Sequence, residues 1–209
     1  MSAQICIVDY GVGNRRSVEK AIHKVGGKPV ISSEPDVMAA ADGLVLPGVG
    51  AFPSAMERIE ALGLDDAIAS AVRRGAPILG TCLGMQLLFD RSTEHGGARG
   101  LGLIKGEVVA LDAPGAKLPH IGWSEVEWSG NSELTSGLGE SASFYHVHSY
   151  VTVPADPAAV IGWSDYGTRF ASVVEQSNIY GVQFHPEKSS ANGLRMLANF
   201  CAICDEAAR

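Results

Sequence analysis

The chain has 209 residues, of which 46% are hydrophobic and 19% charged, and this composition is typical of a folded globular protein. Its formal net charge of -7 argues against nucleic acid as the main ligand, because phosphate binding needs clusters of basic residues. The first ten residues lack the basic flank of a signal peptide, and no apolar stretch is long enough to span a bilayer. With four cysteines in such a chain, we expect reduced thiols and a cytoplasmic location.

The first ninety residues alternate between short apolar runs and amphipathic ones. Strand-like apolar runs lie at residues 4–9, 28–31, 43–46 and 77–81. Runs with the pattern of a helix lie at residues 18–25, 35–41, 55–61, 65–74 and 85–90. This repeated alternation predicts a parallel sheet with helices on both faces.

From residue 102 the chain consists of short β-type runs separated by clusters of turn-forming residues. These runs predict strands at residues 104–111, 121–128, 144–153, 160–163, 170–175 and 178–184. None of the clusters between them is long enough to be an interdomain linker. We therefore predict an α/β fold of one domain, residues 1–209, whose central, mostly parallel sheet is flanked by helices and extended by antiparallel strands.

The segment Gly80–Gly84 reads Gly-Thr-Cys-Leu-Gly and joins a predicted strand to a predicted helix. It fits the G-x-nucleophile-x-G elbow, with cysteine in the place of serine. Glycine relieves the crowding in such a sharp turn, and the N-terminus of the following helix favours a thiolate over a thiol. Cys82 is therefore the candidate nucleophile, although a buried cysteine between two packing glycines fits the same five residues.

His185, Pro186 and Glu187 follow the last predicted strand, at the edge of the sheet where α/β proteins carry their active sites. Side chains two apart in an extended backbone point the same way, so Glu187 is able to orient the His185 imidazole. Pro186 keeps His185 extended. A structural histidine fits this motif when the motif is taken alone. Combined with Cys82, the motif predicts a Cys-His-Glu triad.

A second glycine-rich segment, Leu46–Phe52, ends the predicted strand at residues 43–46. Its backbone N–H groups are candidates to hold a developing oxyanion, with the N–H of Leu83 as a second donor. A plain glycine-rich turn fits the same residues.

Three further patterns point to other sites, but each lacks a required part. The segment Asp9–Asn14 resembles the start of a dinucleotide fingerprint, yet an arginine occupies the third glycine position. His146 and His148 are able to present two imidazoles on one strand face, but no third metal ligand has a suitable spacing. Cys201 and Cys204 have no second pair and follow a helical apolar pattern, so we predict that both are core residues.

Taken together, these motifs resemble those of the triad-type, or class I, glutamine amidotransferases, and more narrowly the glutaminase subunits of imidazole glycerol phosphate synthases. The wider resemblance rests on the elbow, the Pro-Gly-Val-Gly segment and His-Pro-Glu. The narrower one rests on four segments spread over nearly the whole chain in the family's order: Asp9–Asn14, Pro119–Trp123, Tyr145–Tyr150 and Gly181–Ser189. The chain departs from the family's pattern, outside the triad, at Arg15, Ser124 and His146.

The resemblance implies a glutaminase that frees ammonia from glutamine through a cysteine thioester. The implied catalytic triad is Cys82, His185 and Glu187. The implied oxyanion hole consists of Val49, Gly50 and Leu83. The implied glutamine pocket is lined by Gly48, Gly50, Gln86, Tyr145 and His148.

The resemblance also implies a partner, a separate (β/α)8-barrel cyclase subunit that Trp123 and Lys188 would face in a heterodimer. The cyclase uses the ammonia to form imidazole glycerol phosphate and aminoimidazole carboxamide ribonucleotide in histidine biosynthesis. No metal or organic cofactor is implied for the glutaminase half, and neither nucleic acid nor a membrane is expected as a partner.

Three other interpretations compete with this one. The first is a sister glutaminase, such as one serving anthranilate or pyridoxal phosphate synthesis, and the motifs around Trp123 and Lys188 argue against it. The second is a noncatalytic interaction protein that keeps the fold, and the intact triad residues argue against it. The third is a cysteine peptidase on a similar scaffold, which activity on a casein-type substrate would distinguish from a glutaminase.

Overall fold

A computed structural model describes residues 2–209, and over that range thirteen strands pair into one sheet. In chain order the strands are β1 (Gln4–Val8), β2 (Lys28–Ser32), β3 (Gly43–Gly48), β4 (Ile78–Cys82), β5 (Phe89–Ser92), β6 (Ala98–Arg99), β7 (Ile104–Ala110), β8 (His120–Trp128), β9 (Ser141–His148), β10 (Tyr150–Pro154), β11 (Val160–Tyr166), β12 (Thr168–Gln176) and β13 (Ile179–Val182). The helices are α1 (Arg15–Lys24), α2 (Pro35–Ala40), α3 (Phe52–Ala61), α4 (Leu64–Arg73), α5 (Leu83–Leu87) and α6 (Ser190–Ala207).

The centre of the sheet has the strand order β2-β1-β3-β4-β13, and all of these neighbours run parallel. The carboxyl ends of β3, β4 and β13 therefore meet at one edge of the sheet. Beyond β13 the sheet continues through β12, β10 and β7, which pair antiparallel, and then through β5 and β6. A branch of antiparallel strands, β11, β8 and β9, leaves from β12. The predicted α/β fold with antiparallel extensions is confirmed.

Two apolar layers cover the two faces of the central sheet, because successive side chains of a strand point to opposite faces. In β1, Ile5 and Ile7 pack with residues of α1 and α6, whereas Cys6 and Val8 pack with residues of α2, α3 and α4. No helix within residues 2–209 is long and apolar enough to span a membrane.

Cys201 and Cys204 are buried in the layer formed by α6, as the sequence predicts. Burial raises the pKa of the Cys201 thiol to about 11, and burial raises that of Cys204 as well. Both sulfurs therefore stay protonated and act as small apolar groups in the core.

Several sequence-based boundaries differ from the structure by up to three residues, and two predicted elements differ in more than their ends. The helix predicted at residues 85–90 begins at Leu83 and ends at Leu87, because the chain turns into strand β5 at Phe89. The strand predicted at residues 144–153 is two strands, β9 and β10, which separate at Ser149 and pair with different neighbours. Strands β5 and β6 have no counterpart in the sequence prediction.

Candidate active site

The segment around Cys82 has the geometry of a sharp elbow. Cys82 ends β4 with φ 53° and ψ −113°, a conformation that is strained for any residue with a side chain, and α5 begins at the next residue. A Cβ atom at Gly80 would lie 2.6 Å from the Gly84 oxygen, and one at Gly84 would lie 1.7 Å from the Leu46 oxygen. Both glycines are therefore required by the close approach of neighbouring backbone.

His185 follows β13, the parallel neighbour of β4, and so lies beside the elbow. Its backbone N–H donates to the Tyr145 carbonyl at 2.9 Å, which ties the residue to β9. Its Nδ1–H donates to Glu187 Oε1 at 3.0 Å, and Asn14 Nδ2 donates to the same oxygen at 3.3 Å. The side chains of His185 and Glu187 are only 4% and 1% exposed, so solvent hardly weakens their interaction.

The electrostatics of His185 favour its protonated form. Burial lowers its pKa, but hydrogen bonds to Cys82 and Glu187 and the charges of both groups outweigh burial and raise the pKa from 6.5 to about 9. At neutral pH the imidazole is therefore a cation between a sulfur and a carboxylate. A thiolate next to an imidazolium is the reactive form of a cysteine nucleophile.

Cys82 and His185 open into a cavity of about 310 Å³. Of the other residues that the sequence proposes for the site, Val49, Gly50, Leu83, Gln86, His148 and Lys188 also line it. Glu187 stays behind His185 and does not reach the cavity wall. A larger groove of about 940 Å³ lies between α6 and the segment 130–140, but no cysteine or histidine within residues 2–209 lines it.

Two residues proposed for the glutamine pocket, Gly48 and Tyr145, do not line this cavity. A Cβ atom at Gly48 would lie 2.7 Å from Leu83 Cβ and 2.8 Å from the Tyr10 hydroxyl, so this glycine allows β3 to pack under the elbow. The ring of Tyr145 packs edge-on against Trp123, with 6.0 Å between ring centroids. Tyr145 instead supports His185 through its backbone carbonyl.

The predicted oxyanion segment lies next to the elbow. Gly48 pairs in register with Cys82 across β3 and β4, which brings the following residues, Val49 and Gly50, to the cavity wall. Gly50 has φ 111°, a value that favours glycine. Leu83 is the first residue of α5, where backbone N–H groups have no partner within the helix.

Glu94 is a cavity residue that the sequence analysis missed. It is 9% exposed, and its Oε2 accepts a hydrogen bond from Phe52 N at 2.7 Å. It is the only acidic residue lining the cavity in the described part of the chain. No local motif marks it, because it reaches the cavity only through the turn that follows β5. Pro119, Val147, Ser149 and Tyr150 line the cavity as well.

Three histidines pack against each other at the cavity, where His148 lines the wall and His120 and His146 lie behind it. His120 Nδ1 lies 3.2 Å from His148 Nε2, and His148 Nδ1 lies 3.0 Å from the Tyr150 carbonyl. His146 contacts the Phe144 carbonyl and the Ser172 hydroxyl through its two ring nitrogens. Burial lowers the pKa of His148 to about 3 and that of His146 well below its usual value, so both rings are neutral at neutral pH.

The two residues proposed to face a partner lie at or near the cavity mouth. Lys188 is exposed and lines the cavity. Trp123 is 54% exposed and lies on the outer face of β8, as does Ile121, which is 59% exposed. Ile121 pairs in register with Val147 of the cavity wall, so an exposed apolar surface begins where the cavity opens.

Residues 6–204 match the model of the family described as glutamine amidotransferase class-I. The chain therefore belongs to the class-I glutamine amidotransferase family. Solved structures share its fold at lower identity. One, described as a glutamine amidotransferase, has 18% identity, a TM-score of 0.74 and coverage of 96% of this chain and 98% of the other. Another, PurLQS from Thermotoga maritima, has 21% identity, a TM-score of 0.73 and coverage of 97% and 99%.

More similar relatives are curated as imidazole glycerol phosphate synthase subunit HisH. The one from Aquifex aeolicus is 49% identical over 195 residues, which cover 93% of this chain and 94% of the relative. The one from Symbiobacterium thermophilum is 47% identical over 204 residues, which cover 97% and 96%. Within the wider family, the chain belongs with these HisH subunits.

Proposed function

We propose that this protein is the glutaminase subunit of an imidazole glycerol phosphate synthase, with Cys82, His185 and Glu187 as its catalytic triad. The observation that carries the proposal is that Cys82 and a protonated His185 open into one small cavity that Val49, Gly50 and Leu83 also line. The names of the HisH relatives support the choice of this synthase over a sister complex.

In the first half of the reaction, the Cys82 thiolate adds to the side-chain amide carbon of glutamine. The N–H groups of Val49 or Gly50 and of Leu83 hold the oxyanion that forms. His185 then donates its proton to the amide nitrogen, the C–N bond breaks, and ammonia leaves behind a γ-glutamyl thioester.

In the second half, neutral His185 takes a proton from a water molecule whose oxygen adds to the thioester carbon. The C–S bond breaks, the new γ-carboxyl group gives its proton to water, and glutamate leaves, so that the thiolate and the imidazolium are restored. Glu187 accepts the Nδ1–H of His185 in both halves, so it fixes the ring orientation and stabilises its positive charge.

Substrate recognition in this cavity relies on opposite charges. Glutamine carries an α-ammonium group, and Glu94 supplies a carboxylate in the cavity wall. The Phe52 N–H holds that carboxylate in place. The amide of Gln86 and the rim formed by Ser149 and Tyr150 are further groups that we assign to glutamine binding.

We further propose that the apolar surface at Ile121 and Trp123, together with Lys188, docks a cyclase subunit. Ammonia is neutral and small, so a partner seated over the cavity mouth would receive it before it is protonated in bulk water. One continuous sheet supports the proposal that residues 1–209 form one domain, and the four reduced cysteines suit a cytoplasmic location.

The test uses the chain reconstituted with a cyclase subunit. We expect Cys82→Ala to lower glutamine-dependent formation of imidazole glycerol phosphate at least about 1000-fold, whereas formation from added ammonium salt stays within about twofold. Cys201→Ala, which removes a buried thiol far from the cavity, serves as the matched control and keeps both activities. Glutamine-dependent synthesis that persists in Cys82→Ala would refute the proposed nucleophile.

A further inference from the structure

Gln183 is a fully buried amide between β13 and His185, and the mechanism above does not use it. Its backbone N–H donates to the Ser172 carbonyl at 2.8 Å. Its side chain points toward the elbow, where it contacts Cys82. Burying an amide costs free energy unless its polar atoms find partners. The partners of this amide therefore indicate its role.

The oxygen of the Gln183 side chain accepts a hydrogen bond from Gln86 Nε2 at 3.2 Å. Gln86 Nε2 also donates to the backbone carbonyl of Tyr150 at 3.0 Å. A carbonyl oxygen only accepts, so this contact fixes which end of the Gln86 amide carries the nitrogen. Since the side-chain nitrogen of Gln86 donates this hydrogen bond, the atom of Gln183 that accepts it must be the side-chain oxygen.

The remaining end of the Gln183 amide, Nε2, lies 3.9 Å from the sulfur of Cys82. The sulfur has a second contact of the opposite kind, with the Val147 carbonyl at 3.6 Å. A carbonyl favours the protonated thiol, which donates to it, whereas an N–H group favours the thiolate, which accepts from it. Of these two contacts, the one from Gln183 therefore stabilises the charged nucleophile.

We propose that Gln183 stabilises the Cys82 thiolate by donating a side-chain N–H to its sulfur, with Gln86 and the Tyr150 carbonyl fixing the direction of that donor. The proposal deepens the proposed glutaminase function and rests on it for the catalytic consequence. His185 supplies the positive charge on one side of the sulfur, and Gln183 supplies a neutral donor whose protonation does not change. This donor is in place both when the thiolate adds to glutamine and when breakage of the C–S bond restores it.

The experiment measures how fast iodoacetamide alkylates Cys82 in the full-length chain as a function of pH, with the site of modification read by mass spectrometry. In Gln183→Met, which keeps most of the volume but has no donor, we expect the profile to shift about one unit to higher pH, a tenfold loss of thiolate below the midpoint. Ser172→Ala is the matched control. Ser172 is equally buried, but its hydroxyl contacts His146, so the profile should not move.

A second variant covers the case in which Gln183→Met does not fold. Gln183→Glu has the shape of the native side chain and still accepts from Gln86, but an ionised carboxylate repels a thiolate, so its profile should also shift to higher pH. In glutamine hydrolysis we expect either variant to lower kcat about tenfold and to leave KM within about twofold, because Gln183 does not line the cavity.

Alkylation profiles of both variants that coincide with that of the parent chain would overturn the proposal. A raised KM with an unchanged kcat would overturn it as well, since that result would assign Gln183 to substrate binding. Failure of the proposed function gives a different result. If the parent chain with its cyclase hydrolysed no glutamine, the function would be refuted, while the alkylation profiles would still decide the role of Gln183.

Discussion

Gly84, two residues after Cys82, has no room for a side chain, because a Cβ atom at this position would lie 1.7 Å from the Leu46 carbonyl oxygen. We expect Gly84→Ala to force β3 and the elbow apart and to lower the free energy of unfolding by about 3 kcal/mol or more. Gly130→Ala is the control, because its Cβ meets only Ile161 Cγ2 at 3.9 Å and should change stability by less than about 0.5 kcal/mol. Urea unfolding measures the free energy of unfolding of each variant, and equal values for Gly84→Ala and Gly130→Ala would contradict the argument that Gly84 is crowded.

Glu94 is the residue whose charge we assign to the ammonium group of glutamine. Glu94→Gln keeps an oxygen for the Phe52 N–H but removes the charge, so we expect KM for glutamine to rise roughly 10- to 100-fold with a smaller change in kcat. Glu60→Gln, on the exposed face of α3, is the control and should leave KM unchanged. An unaltered KM in Glu94→Gln would remove this residue from substrate binding.

These residues also show what the sequence is able to predict. Cys82 and His185 each lie in a local motif, and each motif follows a strand of the parallel sheet. Because parallel strands end at the same edge, the sequence alone is enough to predict that the two residues lie close together. Glu94 has no such motif and depends on the turn after β5, a strand with too weak a pattern to be recognised. The family resemblance assigns Tyr145 to the pocket, but its ring turns toward Trp123 instead.

At the scale of elements, helix α5 and strands β9 and β10 show why boundaries are harder to predict than element types. The apolar run at residues 85–90 suits a helix. However, α5 ends at Leu87, because the chain from Phe89 onward pairs with β7 as strand β5. The run at residues 144–153 is continuous in sequence, but its two halves pair with β8 and β7. Tertiary pairing, which a local pattern does not contain, decides both cases.

The facing strands β8 and β9 bury three neutral histidines, and this makes the protein sensitive to acid. The pKa values of His146 and His148 lie below the ordinary 6.5, so the unfolded chain binds more protons than the folded one below that pH. Their contribution to stability is complete above about pH 6.5 and falls as the pH drops below that value, by up to about 1.4 kcal/mol per pH unit for each histidine, and for His148 the fall continues to about pH 3.

His146→Phe tests this acid sensitivity, since the ring is retained but no longer titrates. We expect the dependence of the free energy of unfolding on pH, between pH 6.5 and 5, to become shallower by about 1.4 kcal/mol per pH unit. His23→Gln, on the exposed surface of α1, should leave the dependence as it is in the parent chain. An unchanged dependence in His146→Phe would show that this imidazole is not held neutral.

At the scale of the whole molecule, the proposed docking surface joins the cavity mouth to the outer face of β8. Trp123→Ala removes a side chain that is 54% exposed, so we expect the stability of the free subunit to change little and the affinity for the cyclase to fall by about 2 kcal/mol or more. Leu62→Ala is the control, since Leu62 is 48% exposed but lies at the end of α3. Calorimetric titration with the cyclase measures the affinity of each variant. If Trp123→Ala bound the cyclase as tightly as Leu62→Ala does, Trp123 would not belong to the interface.

The central claim is that Cys82, among four cysteines, is the nucleophile that forms a thioester with glutamine. The most direct test incubates the full-length chain with 6-diazo-5-oxo-norleucine, a glutamine mimic that alkylates a nucleophile in a glutamine site, and maps the adduct by mass spectrometry. We predict a single adduct on Cys82 that excess glutamine prevents, with Cys6, Cys201 and Cys204 unmodified because none of them lines the cavity into which Cys82 opens. An adduct on any of those three, or no adduct on Cys82, would contradict this account.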